Sequence, residues 1–416
     1  MSPWRHVYTV LLHALIPLAL IRLAWRGRRQ PGYLQHVPER FGRYTLRIRR
    51  PVIWLHTVSV GETRAAEPLV EALRARWPDH QILLTHMTPT GRETGVRTFG
   101  DTVSRCYLPY DLPWAVARFL SRFQPRLGLL LETEIWPNLI HACRVRSIPL
   151  LLVNARLSER SARRYARFTG FTRATLRELA GVAAQTEADA QRFLTLGATQ
   201  PVVCGNLKFD RSPRPEDLRL GKQFRAWFGT RPVFLAASTR ENEEERILAA
   251  VECAAQPGLL TVIVPRHPQR FDAVARLLAQ RGLVYQRRSE ERPVAAATSV
   301  FLGDSLGELY AFYASCDLAF IGGSLEPLGG QNLLEACAVG RPVLVGPHTF
   351  NFSEATRLAV ESGAAVQLHD ERELGRVLGE LLADPERRSR MGQAGLALMR
   401  QHQGAAGRIV AMLTPR

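Results

Sequence analysis

The chain has 416 residues, 46% of them apolar, which is ample for the cores of two ordinary domains. Its six cysteines (Cys106, Cys143, Cys204, Cys253, Cys316, Cys337) show no C-x-x-C spacing, which excludes a disulfide framework and a cysteine zinc site and fits a reducing cytosol. A balance of 55 basic to 38 acidic residues leaves +17, and such a surplus points to an anionic partner: nucleic acid, anionic lipid or a phosphorylated substrate.

The distribution of charge narrows that choice. Residues 1–50 hold ten arginines against one acid, Glu39, so +9 of the +17 lies beside the most apolar segment. A membrane surface fits this better than DNA does; the plainer alternative is an arginine-rich, well-solvated chain. Val7 to Ile21 is fifteen residues without a formal charge, interrupted by His13 and Pro17 and followed by Arg22, Trp25, Arg26, Arg28 and Arg29. A clean span needs about 20 apolar residues, so the segment is short. Its charge comes after the apolar stretch, with tryptophan at the boundary, the reverse of a cleavable signal. It resembles a short anchor or interfacial helix with its carboxyl side in the cytoplasm. A helix buried in the first domain is the alternative. Lys208 and Lys222 are the only lysines, and a lysine in such a background hints at a place where a compact point charge is wanted.

Val52–Val60 reads as the first strand of an α/β domain, ended by Gly61-Glu62-Thr63, with a helix over about Arg64–Trp77. Gln81–Thr85 is a second strand, followed by the turn Thr88-Pro89-Thr90-Gly91. Tyr107–Pro109 is a third strand and Trp114–Phe123 a helix. Leu127–Leu131 is continuously apolar, so central and parallel, and delivers Glu132, Thr133 and Glu134. Leu150–Val153 delivers Asn154-Ala155-Arg156. Gly181–Ala184 and Val202–Gly205 complete the sheet, the latter ending in Asn206-Leu207-Lys208. Glu62, Glu132, Arg156 and Lys208 therefore stand at four strand ends, where a doubly wound domain keeps its chemistry. Any one of them alone is as well explained as a helix cap.

Arg211–Arg231 is polar, carries Pro213 and Pro215, and reads as a linker into a second α/β domain. There Val233–Ala237 ends in Ser238-Thr239-Arg240 and Leu259–Val264 delivers Pro265-Arg266-His267-Pro268. The stretch from Phe301 to Asn351 is the domain's centre: a strand, a helix at Leu309–Ser315, the strand Leu318–Ile321, a glycine turn over Gly322–Gly330, a helix opening near Asn332, and the strand Pro342–Val345. This is a parallel βαβ unit. Free N–H groups near Asn332 favour an anion, and the Glu335 carboxylate suits a ribose diol. Alternatively the glycines only make a tight turn and Glu335 complements the helix dipole.

Two such domains facing a cleft suit group transfer from an activated nucleotide donor. Glu62 can take the proton from an acceptor hydroxyl, and Lys208, Arg266 and helix N–H groups can stabilise the leaving phosphate. No Asp-x-Asp stands at a strand end as a Mg²⁺ clamp, and fixed cations suffice for a donor with a single phosphate.

Ten motifs, in order and covering nearly the whole chain, resemble the 3-deoxy-D-manno-octulosonic acid (Kdo) transferases of lipopolysaccharide synthesis. They are HTVSVGET (56–63), MTPTG (87–91), YLPYDLP (107–113), ETEIWPN (132–138), NARLSERS (154–161), GNLKFD (205–210), PRHP (265–268), GDSLGELY (303–310), FIGGSLEPLGGQNLLEA (320–336) and GPHTFNF (346–352). The resemblance implies an α/β GT-B glycosyltransferase with two Rossmann-like doubly wound domains and an N-terminal membrane-anchoring helix. It implies inverting transfer of Kdo from CMP-Kdo to a lipid A precursor (lipid IV-A) at the cytoplasmic face of the inner membrane, with no metal, no cofactor and no nucleic acid. By motif, Glu62 matches the catalytic base, and Glu132 and Lys208 match groups that stabilise the transition state. The CMP-binding segments fall on Arg266 and His267, on Gly307, Glu308 and Leu309, and on Asn332, Leu333, Leu334 and Glu335. Gln331 and Leu333 stand where the family's GGHNPLE carries histidine and proline.

The expected organisation is an anchor or interfacial helix at 1–30 and an acceptor-binding domain at 31–210. A linker at 211–231 leads to a CMP-Kdo-binding domain at 232–398, and a C-terminal helix at 399–416 packs back on the first domain. An anchored, basic first domain suits an anionic membrane and an anionic lipid acceptor, and the Arg156–Arg167 run either meets lipid A phosphates or is a solvated helix face. A UDP-sugar enzyme of the same fold and a non-catalytic membrane or nucleic-acid binder are the competing classes.

Overall fold

The computed structural model describes residues 3–413; residues 1–2 of the expected anchor and 414–416 of the expected C-terminal helix lie outside the described residues. The chain divides into two compact units, Met1–Asp210 with Gln403–Arg416, and Arg211–His402.

The first unit is built on seven parallel strands: β1 (Val52–His56), β2 (Gln81–His86), β3 (Ser104–Tyr107), β4 (Leu127–Leu131), β5 (Leu150–Ala155), β6 (Gly181–Ala184) and β7 (Val202–Val203). They lie in the order β3-β2-β1-β4-β5-β6-β7. The order reverses between β1 and β4, so the carboxyl ends of these two strands flank the crevice that a doubly wound sheet offers to a ligand. Alternation fills both faces. Val52 and Trp54 pack with Phe119, Leu130 and Phe193, and Ile53 and Leu55 with Leu69, Leu73 and Leu129. Burial of the Trp54 side chain is worth about 4–6 kcal/mol by area. It needs a glycine next door: a Cβ on Gly128 would stand 2.8 Å from the Trp54 ring.

Several local readings of this unit are corrected: the first strand ends at His56 and not at Val60, and the third is Ser104–Tyr107 and not Tyr107–Pro109. The helix expected over Arg64–Trp77 is two helices, Val60–Ala65 and Glu67–Arg76, the second opened by Pro68. Glu62 therefore sits in the first turn of a helix and not in a strand-end loop. Thr88-Pro89-Thr90-Gly91 starts the helix Pro89–Phe99 and is not a free turn: Thr88 Oγ1 accepts the Gly91 N–H at 3.1 Å.

The apolar N-terminus forms two helices, Pro3–Ala14 and Ile16–Arg29, bent by 47°. No single helix among the described residues is long and apolar enough to cross a membrane; the bent pair meets that test by length and composition. Hydrogen bonds tie the first helix down. Tyr8 Oη donates to Asp111 Oδ2 at 3.0 Å and Thr9 Oγ1 to Asn138 Oδ1 at 3.1 Å. Val10, Leu11, Leu18, Ile21 and Trp25 remain exposed. At the other end of the chain the helix Ala405–Ala411 belongs to the first unit. The Asp210 carboxylate accepts the N–H groups of Gly404, Ala405 and Ala406 at 2.6–3.1 Å, and Ile409 joins the Leu69 cluster.

The second unit has seven parallel strands: β8 (Val233–Thr239), β9 (Leu260–Pro265), β10 (Tyr285–Arg287), β11 (Val300–Leu302), β12 (Leu318–Ile321), β13 (Val343–Val345) and β14 (Ala365–Gln367). Their order is β10-β11-β9-β8-β12-β13-β14, reversing between β8 and β12. The stretch 211–231, read as a linker, holds the helix Pro215–Phe228. Its prolines fall at or before the first turn, where the missing N–H costs nothing. Gly221, Phe224 and Phe228, at helical spacing, are buried, and Phe224 meets Phe312 with ring centroids 4.9 Å apart.

Candidate active site

Glu62, Glu132, Arg156 and Lys208 come together at the carboxyl edge of the first sheet. Ser59 caps the Val60–Ala65 helix, and the Glu62 carboxylate turns back on this start: Oε2 accepts the Val58 N–H at 2.8 Å and Oε1 the Ser59 hydroxyl at 2.9 Å. Such bonds favour the charged form, yet burial outweighs them. With further help from the nearby charges of Glu132 and Glu134, the Glu62 pKa is pushed up to about 7. The floor beneath is a buried polar cluster. Thr57 Oγ1 meets Thr63 Oγ1 and His86 Nδ1, each at 3.1 Å, and His56 Nδ1 meets Thr85 Oγ1 at 2.9 Å. Burial lowers the His56 and His86 pKa values to about 3 and about 4, so both rings are neutral.

Glu132 follows β4 with φ +60°, and Asn154 at the end of β5 has φ +49°. Left-handed backbone at non-glycine residues costs of order 1–3 kcal/mol each and is retained where the surroundings enforce it. The Asn154 conformation has an evident use. Its Oδ1 accepts the Leu207 N–H at 3.0 Å, and Asn206 Oδ1 accepts the Lys208 N–H at 3.0 Å, which fixes the 3₁₀ turn Leu207–Asp210. Lys208 is thereby set among Glu132, Arg156 and Glu62. Burial and the Arg156 charge lower its pKa while the two carboxylates raise it, with a net lowering. Glu134, half-buried, accepts the Trp136 indole N–H at 2.8 Å, and burial raises its pKa.

In the second unit the expected nucleotide segments lie in loops beyond the carboxyl ends of β9, β11 and β12. Arg266 Nε donates to Gln331 Oε1 at 3.2 Å. Burial, with Arg240 and Arg266 close by, lowers the His267 pKa. The Glu308 side chain is engaged: Arg288 donates to both its oxygens at 2.9 and 3.0 Å, and Ser305 Oγ at 2.6 Å, and of the Gly307–Leu309 segment only Gly307 is exposed. The helix expected near Asn332 is only Leu334–Ala338, and Asn332 Oδ1 already accepts the Leu334 N–H at 3.2 Å. Leu333 and Leu334 are buried. Glu335 accepts from Arg211 Nη1 at 2.6 Å and Asn332 Nδ2 at 3.3 Å. The simple picture of an open helix end and a free carboxylate is thus corrected to a pre-organised Arg211–Glu335–Asn332 set.

Several positioning residues escaped the sequence reading. Ser59-x-x-Glu62 has capping-box spacing, a signal that was present. Asp111, buried, accepts the Asn138 and Leu139 N–H groups at 2.9 and 2.7 Å, starting the helix Pro137–Val145 just after the Glu132–Trp136 loop. Glu243, fully buried, accepts the N–H groups of Arg240, Gly323, Ser324 and Leu325 at 2.6–3.1 Å and so holds the glycine loop. Nothing local in the sequence marks these long-range partners. Among the described residues no group of three His, Cys, Asp or Glu side chains is placed to hold a metal ion.

A family model described as 3-deoxy-D-manno-octulosonic-acid transferase (kdotransferase) matches residues 35–211, and one for glycosyl transferases group 1 matches residues 282–397. The chain is 45% identical to a 3-deoxy-D-manno-octulosonic acid transferase of Bordetella pertussis, over 97% of each chain. It is 40% identical to the protein of that name from Haemophilus influenzae, over 99% of this chain and 98% of the other. The solved UDP-GlcNAc 2-epimerase from Neisseria meningitidis shares the fold at 16% identity, with a TM-score of 0.59 over 87% of this chain and 99% of that one.

Proposed function

The chain belongs to the 3-deoxy-D-manno-octulosonic acid transferase family and is a Kdo-transferring glycosyltransferase with two parallel α/β domains, and from that premise we propose its substrates and the residues that act on them. The donor is CMP-Kdo, the acceptor is a lipid A precursor (lipid IV-A), and transfer inverts the anomeric centre without a metal. As the acceptor oxygen bonds to the anomeric carbon of Kdo, its proton passes to the Glu62 carboxylate. The bond from that carbon to the CMP phosphate oxygen breaks, and CMP leaves with the electron pair. Glu132 and Lys208 stabilise the charge that develops in the transition state. The CMP moiety is held by Arg266, His267, the Gly307–Leu309 backbone and the Asn332–Glu335 segment.

The observation that carries this reading is Glu62 itself, a half-buried carboxylate pushed up to about 7 beside Lys208. A base titrating near the working pH combines ionisation with proton affinity. The exposed apolar residues of the bent N-terminal helices and their arginines support a site of action at the cytoplasmic face of the inner membrane. The exposed arginines of the helix Glu159–Ala166 suit acceptor phosphates. The test is incubation with CMP-Kdo and lipid IV-A in EDTA, read by mass spectrometry, with UDP-sugars as rival donors. A Kdo increment from CMP-Kdo alone supports the proposal. An increment only from a UDP-sugar, or only with added metal, overturns the donor or the metal-free mechanism respectively.

A further inference from the structure

The first unit carries a second charged site, at the sheet edge opposite Glu62. A cleft of about 840 Å³ opens beside the amino ends of β1, β4 and β5, and Arg49, Arg50, Arg122, Arg126 and Arg146 line it, with no acidic residue among the lining side chains. A five-residue strand rises about 3.3 Å per residue, so the cleft lies roughly 17 Å or more from the catalytic edge. The transfer chemistry proposed above does not use it.

Its walls are fixed by the fold. Residues 43–50 run as an extended strap in which Tyr44, Leu46 and Ile48 pack on the core, while Arg43, Arg47 and Arg49 alternate outward. Arg122 is pinned to this strap by hydrogen bonds from Nε to the Leu46 carbonyl at 2.9 Å and from Nη2 to the Thr45 carbonyl at 3.3 Å. Among the described residues none of the five arginines has a carboxylate within ion-pair distance. They do have a purely structural partner, since the helices Pro113–Phe123 and Pro137–Val145 both end at the cleft. Two helix carboxyl ends supply about −0.5 each. Against five full charges that leaves about +4, so the dipoles do not explain the cluster.

We propose that this cleft binds phosphate groups carrying together at least the charge of a diphosphate, either on one polyanion or on several headgroups at once. The volume is that of an ordinary small-molecule site, and planar guanidinium groups match phosphate oxygens bidentately. The phosphates come either from a soluble ligand or from anionic lipid headgroups, and the test separates the two.

The full chain is titrated with inorganic pyrophosphate by calorimetry, and is floated with phosphatidylcholine vesicles with and without phosphatidylglycerol. The cleft variants are Arg126→Gln/Arg146→Gln and, as an independent pair on the strap, Arg49→Gln/Arg50→Gln. Arg372→Gln/Arg400→Gln, exposed positions of the second unit, removes the same charge elsewhere. Saturable pyrophosphate binding that weakens tenfold or more in both cleft variants and not in the control supports a soluble ligand. Absence of pyrophosphate binding, with phosphatidylglycerol-dependent flotation falling severalfold in the cleft variants only, supports the lipid headgroup. Equal losses in cleft and control variants, or no loss in either, overturn the proposal. Kdo transfer to a detergent-dispersed acceptor serves as the folding control and stays unchanged.

Discussion

Glu62→Gln separates the chemistry of Glu62 from its effect on stability. In the folded chain its pKa is pushed up to about 7, against 4.5 for an ordinary glutamate, chiefly through burial. The folded state then binds more protons than the unfolded state between these values, so stability falls as pH rises through that window. Below about 4.5 the carboxyl is protonated in both states and no difference remains. A shift of this size corresponds to about 3 kcal/mol of destabilisation at pH 8. Glutamine removes it and keeps one carbonyl oxygen for the Val58 N–H, but turns its N–H₂ group on the other donor, the Ser59 hydroxyl. The hydroxyl can rotate to accept from that group, so the loss is limited to the charge-assisted character of the two bonds and about 1 kcal/mol is returned. The net expectation is a gain of about 2 kcal/mol at pH 8, or roughly 4–8 °C in the melting temperature of a domain of this size. No gain, or a small loss, is expected at pH 4. Differential scanning calorimetry at both pH values reads this, alongside transfer assays in which the variant is nearly inactive. Equal effects at the two pH values would refute the raised pKa and with it the physical basis for Glu62 as base.

Other variants address the neighbouring parts. Lys208→Ala slows Kdo transfer by roughly 10²-fold or more, the scale for losing one transition-state donor; a single-turnover rate equal to wild type would make Lys208 structural. Glu243→Gln turns an N–H₂ group on two of the four N–H donors holding the glycine loop, and loss of two charge-assisted bonds costs about 3 kcal/mol. CMP binding, measured by calorimetry, weakens tenfold or more, whereas unchanged affinity would detach that loop from the nucleotide site. Asp111→Ala orphans the Asn138 and Leu139 N–H groups and the Tyr8 hydroxyl, costing about 3 kcal/mol or more in chemical denaturation; a cost under 1 kcal/mol would show that water replaces the carboxylate.

The strands were legible wherever an apolar run has clear ends. Leu127–Leu131, Gly181–Ala184 and Leu318–Ile321 stand as read. The same logic brought Glu132 and Lys208 to one sheet edge. What failed was local punctuation read without its tertiary partner. Pro89, Pro137 and Pro215 look like breaks, yet each opens a helix whose start is secured by Thr88, by Asp111 from 27 positions away, or by Asp217 within the next turn. The Arg211–Glu335 pair spans 124 positions and has no sequence signature. Its arginine, in a polar stretch with two nearby prolines, could only look like linker.

The most direct test of the account compares wild type with Glu62→Ala, using fresh CMP-Kdo and lipid IV-A with EDTA present. Product is read by mass spectrometry and CMP affinity by calorimetry on the same preparations. The account predicts a Kdo mass increment in wild type only, with equal CMP affinity in the two proteins. Transfer by Glu62→Ala at a rate near wild type would contradict it, because the proton of the acceptor hydroxyl would then have another destination.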